Sequence, residues 1–85
     1  MKTFDYTITD PEGIHARPAG ILVKEAGKFS SKITMVKDGK EADAKRIFGI
    51  MGLGVKKGNT VTVKVDGEDE EAAFAMLETF FKENL

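Results

Sequence analysis

The sequence predicts an α/β (α+β) fold. It is an open-faced β-sandwich, a four-stranded antiparallel sheet covered on one face by three helices, in the order β-α-β-β-α-β-α. Three observations predict it. Four short segments suit strands, and the alternation of apolar and polar residues in them gives the sheet one solvated face. Two longer segments, one from Ala16 and one after Asp69, place apolar residues at helical spacing and so present stripes that must cover the other face. Between the second and third strands stands Asp38-Gly39, a strong two-residue hairpin signal.

Thr3-Phe4-Asp5-Tyr6-Thr7-Ile8 alternates and forms the first predicted strand. Asp10-Pro11-Glu12-Gly13 is a turn by composition. From residue 16 to about 28 the set Ala19, Leu22, Val23 and Ala26 recurs at i, i+3, i+4 and i+7, which predicts an amphipathic helix with Gly27 in its last turn or at its cap. Lys32-Ile33-Thr34-Met35-Val36 is the second strand, and the hairpin leads into a short third near residues 40–44. Ile47-Phe48-Gly49-Ile50-Met51-Gly52-Leu53-Gly54 has too many glycines for a strand, and its length predicts a short helix over about residues 46–52, ended by Gly54. Packing is expected to bury Ile50 and Leu53. A helix of two turns cannot bury every face, so Ile47, Phe48 and Met51 are expected to be partly exposed and to mark a partner surface. Lys57-Gly58-Asn59 is a turn before the clearest strand, Thr60-Val61-Thr62-Val63-Lys64-Val65. Asp69 reads as the N-cap of the last helix, with Glu70 and Glu71 favouring its start and Ala73, Met76, Leu77, Phe80 and Phe81 forming its apolar stripe.

Eighty-five residues, 41% hydrophobic and 32% charged, make one domain spanning residues 1–85 with its own core. There is no cysteine, which excludes disulfides and thiol chemistry, and a single histidine argues against a dedicated metal site. No cofactor is expected. The N-terminal stretch carries no apolar run of the signal-peptide kind and no window approaches a transmembrane span, so a cytoplasmic location and no membrane insertion are expected. The formal net charge of −1 hides an asymmetry: residues 15–57 hold ten Lys/Arg against four Asp/Glu, and residues 58–85 hold two against seven. A basic portion of this kind steers acidic partners or anionic ligands, although most of its lysines simply solvate the surface. It lacks interleaved aromatics, so nucleic acid is not expected as a partner.

The basic portion contains the only histidine, in Gly13-Ile14-His15-Ala16-Arg17-Pro18-Ala19-Gly20. Pro18 falls in the first helical turn, where backbone N–H groups have no intrahelical acceptor and a missing donor costs little. The N–H groups of Ala16 and Arg17 are then free at the positive end of the helix dipole and available to an anion. His15 beside them is a candidate nucleophile, and Arg17 supplies a fixed positive charge. An imidazole, free amides and a guanidinium within one turn suit a phosphoryl group held covalently and handed on.

This signature resembles the active-histidine motif of HPr, the phosphocarrier family of the phosphoenolpyruvate:sugar phosphotransferase system. The resemblance extends along the chain through Ala26, Lys28-Phe29, Asp38-Gly39, the segment of residues 47–54, Gly58 and Gly67-Glu68-Asp69-Glu70. It implies that His15 accepts a phosphoryl group on Nδ1 from phospho-enzyme I and donates it to IIA domains of sugar permeases, with Arg17 and the amides of Ala16 and Arg17 around the phosphate. It implies a stoichiometric carrier, not a stand-alone enzyme, and a docking surface of Ala16, Gly20, Lys24, Ile47, Phe48, Met51, Gly52, Leu53 and Gly54. A monomer is expected.

The chain departs from the family pattern at three positions. Arg46 stands where many members carry a serine phosphorylated by a regulatory kinase, so regulation at that site is expected to be absent, and the added cation is expected to favour acidic partners. Gly52 replaces a usual serine or threonine, and Gly20 a commoner alanine or threonine. Two alternatives stay open from sequence: a carrier in a paralogous nitrogen-type regulatory relay, and a binding module that uses residues 47–53 without phosphotransfer.

Overall fold

The computed structural model describes residues 1–85 and has the predicted element order: β1 (Lys2–Thr7), α1 (Ala16–Ala26), β2 (Lys32–Lys37), β3 (Lys40–Asp43), α2 (Ile47–Gly52), β4 (Thr60–Asp66) and α3 (Glu70–Asn84). The sheet order is β1-β4-β2-β3, and every neighbouring pair is antiparallel. β4 lies between β1 and β2, so its residues 63 and 65 pair on both sides: Val63 stands opposite Phe4 and Met35, and Val65 opposite Lys2 and Ile33, while Val61 pairs with Tyr6 alone. Ile33, Met35, Val61, Val63 and Val65 are all fully buried beneath the helices. The other face is polar: Thr62 donates from Oγ1 to Asp5 Oδ1 at 2.6 Å, and Lys64 Nζ lies 3.7 Å from Glu41. Both residues of the β2–β3 turn adopt positive φ, 51° at Asp38 and 79° at Gly39, the backbone that a tight hairpin of this twist requires.

Ala19, Leu22 and Ala26 of α1 and Ala73, Leu77 and Phe81 of α3 fill the space over the sheet. Phe81 is the largest fully buried side chain and meets Phe4, Tyr6 and Phe80 edge-on at 5.6, 5.6 and 6.2 Å between ring centroids. That geometry aligns positive ring edges with negative faces. Met76 departs from the expected stripe: it is only partly buried and packs at the rim of the core.

Asp69 does not cap its own helix. Its side chain makes no bond to the first turn of α3; it accepts from the Ser30 N–H at 2.8 Å, the Ser31 N–H at 2.9 Å and the Ser31 hydroxyl. The carboxylate satisfies the loop between α1 and β2 instead, because two amides and a hydroxyl converge there while α3 starts with Glu70 Oε1 accepting from the Gly67 N–H at 3.2 Å. The Ser31 hydroxyl, and then the Ser30 amide, lower the Asp69 carboxyl from 3.8 to about 2. A carboxyl that titrates lower when folded stabilises the fold above its unfolded value near pH 4, and the contribution is lost as the pH falls toward 2. Asp69→Asn is expected to lower the melting temperature at pH 7 and to flatten its decline between pH 4 and about 2, measured by circular dichroism; curves that superimpose would show that the staple carries no stability.

Candidate functional site

The loop from β1 to α1 is mounted on two carbonyl oxygens. Leu85 O accepts from the Thr9 N–H at 2.6 Å, the Asp10 N–H at 2.9 Å and the Thr9 hydroxyl at 3.0 Å. Val55 O accepts from the Ile14 N–H at 3.1 Å. Between these anchors the chain turns tightly, with the Gly13 N–H donating to Asp10 O at 2.9 Å and the Glu12 N–H to Asp10 Oδ1 at 2.8 Å. Gly13 sits at φ +68°, and a Cβ there would lie 2.3 Å from Val55 O, so no other residue fits without moving the backbone.

His15 follows as the N-cap residue of α1, extended at φ −97° and ψ −177°, and its own carbonyl accepts the first helical bond, from the Ala19 N–H at 3.0 Å. Its side chain makes no capping bond. The N–H groups of Ala16 and Arg17 have no acceptor within the protein, and both residues are exposed, while Pro18 is buried in the first turn. Two donors therefore project from the positive end of the helix with nothing to satisfy them but solvent or an anion. Arg17 forms no ion pair or hydrogen bond, so its guanidinium is also available.

The imidazole is about one-third exposed, with Nε2 lying 3.3 Å from Glu12 Oε2 and 3.9 Å from Asp10 Oδ1. Nδ1 has no protein partner. Carboxylates on one ring nitrogen favour the tautomer with its proton there and leave the lone pair on the other. A cavity of about 290 Å³ opens beside the ring, lined by Asp10, His15, Arg17, Pro18, Ile21 and Glu83. Ligand atoms of Asp10, Glu12 and His15 lie within 4.8 Å of one another, close enough for three groups to share a cation. Arg17 in the same cavity opposes a divalent cation, and we read the group as carboxylates around an imidazole proton. A larger groove of about 460 Å³ between α1 and α3, lined by Ile21, Glu25, Met76 and Phe80, has no histidine or basic side chain in its wall.

The expected docking residues gather beside this cavity because α1 packs on α2. Phe48 is 88% exposed and Met51 39%, Ile47 is half-buried, and Lys24, Gly52 and Gly54 are exposed. Leu53 is a correction: only 7% of it is exposed, because it turns into the core and supports the surface from beneath. Helix α2 begins at Ile47, one residue later than expected, with Arg46 exposed before it and its Nε 3.8 Å from Asp43 Oδ2. A Cβ at Gly20 would meet only Ile47 Cδ1, at 3.9 Å, and one at Gly52 would meet nothing, so neither departure is forced by packing. Lys37 Nζ donates to the Leu53 and Gly54 carbonyls, both at 3.2 Å, and closes the C-terminal end of α2 with positive charge.

Sequence reasoning missed Asp10 and Glu12 as partners of the ring, taking them only as turn formers. Their spacing of five and three residues before His15 was the available signal. Ile21 and Glu83 were also missed; the latter comes from α3, and no local pattern connects it with residue 15.

Comparison with known proteins shows what the whole chain is similar to. Residues 2–83 match the family described as PTS HPr component phosphorylation site. The phosphocarrier protein HPr of Lysinibacillus sphaericus is 48% identical over 83 residues, covering 98% of this chain and 94% of that protein. HPr-C-His from Thermoanaerobacter tengcongensis is 45% identical and superposes with a TM-score of 0.86 over 100% of both chains. An HPr dimer from the same organism is 44% identical with a TM-score of 0.78, covering 98% of this chain and 95% of that one.

Gly13→Ala is expected to displace the loop. Adding a Cβ against Val55 O at positive φ should cost about 1–3 kcal/mol of stability, read by denaturant unfolding, and should shift the His15 ring resonances.

Proposed function

The chain belongs to the HPr family, the phosphocarriers of the phosphotransferase system, and we propose that within it His15 takes a phosphoryl group on Nδ1 from phospho-enzyme I and gives it to IIA domains of sugar permeases. The observation that carries this assignment of the site is the pairing of an imidazole, acidic groups on its Nε2 alone, with two unsatisfied amides at the mouth of α1. Phosphoryl transfer requires in-line positioning and charge compensation more than covalent machinery. The amides of Ala16 and Arg17 and the unpaired Arg17 guanidinium supply that compensation, each worth about 1.5–3 kcal/mol at most in a solvated site. A carrier needs no more, since tighter binding of the phosphoryl group would slow its departure. Acting once per cargo, the protein is a stoichiometric carrier instead of an enzyme, and we assign it to the cytoplasm as a monomer.

Docking falls to the apolar patch of Phe48, Met51 and Ile47 with Ala16 and Gly20, rimmed by Arg17, Lys24 and Arg46. Apolar contact inside a basic rim suits fast, transient encounters with acidic partners. Arg46 offers no hydroxyl, so phosphorylation by a serine kinase has no acceptor at that position. A binding module without phosphotransfer would have no use for an open His15 beside an unpaired Arg17, and the geometry favours the carrier.

Incubation with enzyme I and phosphoenolpyruvate should yield acid-labile, base-stable phosphate on the wild-type protein and none on His15→Ala; label retained by that variant would refute the assignment. Phe48→Ala should keep the fold and reduce the rate of transfer at limiting carrier by about tenfold, the loss of one exposed aromatic anchor.

A further inference from the structure

Arg17 and the α1 amides account for the charge of a bound phosphoryl group, but they leave Asp10 and Glu12 unexplained. Two carboxylates beside a site for a dianion are unfavourable unless they serve something else. Both face the same ring atom: Glu12 Oε2 lies 3.3 Å and Asp10 Oδ1 3.9 Å from His15 Nε2. Asp10 is held in place, since its N–H is tied to Leu85 O and its Oδ1 accepts from the Glu12 N–H. The loop thus fixes the Asp10 carboxylate and the backbone of Glu12, whose exposed side chain reaches the same ring nitrogen.

The geometry points to Glu12 and Asp10 as positioning residues that keep the proton on Nε2 of His15 while Nδ1 carries the phosphoryl group, so that the ring leaves as neutral imidazole. This rests on His15 as the carrier residue. In the loaded protein Nδ1 is bonded to phosphorus and Nε2 bears its proton, so the ring is cationic. Departure breaks the Nδ1–P bond, its electron pair returns to Nδ1, and the acceptor forms the new bond to phosphorus. With Nε2 protonated, the leaving group is uncharged imidazole. With Nε2 deprotonated it would be an imidazolate, a far poorer leaving group. A carboxylate against Nε2–H stabilises the cationic ring in the manner of the acid in a Ser-His-Asp triad, which orients the imidazole and never takes the proton itself.

The other charged groups near the ring divide by task. Arg17 on α1, with the amides of its first turn, opposes protonation of the ring and serves the phosphoryl group. Glu83 on α3 lines the same cavity and adds negative charge at its wall without a contact to Nε2. Asp10 and Glu12 are the two that reach the ring. They keep the phosphoryl group transferable toward the alkaline side of neutrality, where an isolated phosphorylated ring would lose its proton.

Chemical loading separates this inference from the choice of protein partners. Phosphoramidate phosphorylates histidine without enzyme I, and hydrolysis then serves as the transfer to the simplest acceptor: water attacks phosphorus, inorganic phosphate leaves, and the ring is released neutral. The rate of phosphate release from loaded wild-type protein should be level at acid pH and fall as the pH rises. In Glu12→Gln with Asp10→Asn the falling limb should move to lower pH by about one unit, which is about tenfold slower release on the alkaline side. Both replacements keep an oxygen that accepts hydrogen bonds, so the Asp10 turn persists and unfolding curves report any structural damage. Glu12→Asp, with its charge retained, should restore most of the shift when Asp10 is intact. Superimposed profiles for the wild type and the double variant would overturn the inference, as would phosphate attached to Nε2 in the wild-type protein. Failure of phospho-enzyme I to load the protein would instead count against the proposed partner alone.

Discussion

Two carbonyl oxygens, at Val55 and Leu85, fix the loop on which the site depends. The first accepts from Ile14 and admits Gly13 at a distance no side chain could tolerate; the second gathers the Thr9 and Asp10 amides and the Thr9 hydroxyl. Neither anchor is local in sequence. His15 stands at the end of a span pinned at both sides, so the direction of its ring is set by the packing of α3 and of the strand-entry segment at residue 55. The buried Leu85, 3% exposed, and Ile14, 6% exposed, bring those anchors close because both belong to the same core as the sheet. Burial of apolar surface is here the means by which a polar site acquires its geometry.

That dependence explains the division between the two faces of the molecule near α1. Toward the core, Pro18, Ala19 and Leu22 are buried and anchor α1 against the sheet. Toward solvent, Ala16, Arg17, Ile21 and Lys24 are exposed, and Phe48 and Met51 stand beside them on α2. Helix α2 has too few residues to hold itself by backbone bonding alone. Its hold comes from Ile50 and Leu53 below and from Lys37, whose ammonium closes the carbonyls at its end. An aromatic ring can therefore remain almost wholly exposed at Phe48 without loosening the segment that carries it.

Most of the fold was legible in the sequence because its signals are local. Alternation located the strands to within one residue at most ends, Asp38-Gly39 fixed the hairpin, and the spacing of Ala19, Leu22 and Ala26 fixed the buried side of α1. His15, Arg17 and the free amides were legible for the same reason, since a proline in a first turn and a glycine two residues before a histidine are features of neighbouring residues. The errors have a common cause. Asp69 had the composition of a helix cap, but its carboxylate found the Ser30 and Ser31 amides, almost forty positions away. Leu53 was counted twice, as core and as docking surface, and only the three-dimensional direction of its side chain decides between them. Asp10 and Glu12 were visible as letters but not as partners of the ring, because a turn brings them back toward Nε2 only once Leu85 has closed it.

A carrier has to satisfy two opposed demands with one histidine: hold the phosphoryl group long enough to meet a partner, and release it without a large barrier. With His15 as the proposed carrier residue, the site meets them with charges assigned to different ring atoms. Positive groups, the Arg17 guanidinium and the α1 amides, are free to compensate the phosphoryl oxygens, and none is committed to an internal acceptor that would have to be broken first. Negative groups stand at Nε2, where they favour the protonated ring that makes a good leaving group. Were the acids beside Nδ1 and the guanidinium beside Nε2, the same residues would repel the cargo and strip the ring of its proton. The placement of the acids, and not their mere presence near a basic site, makes them compatible with transfer, and the short turn from Asp10 to Gly13 is what enforces that placement.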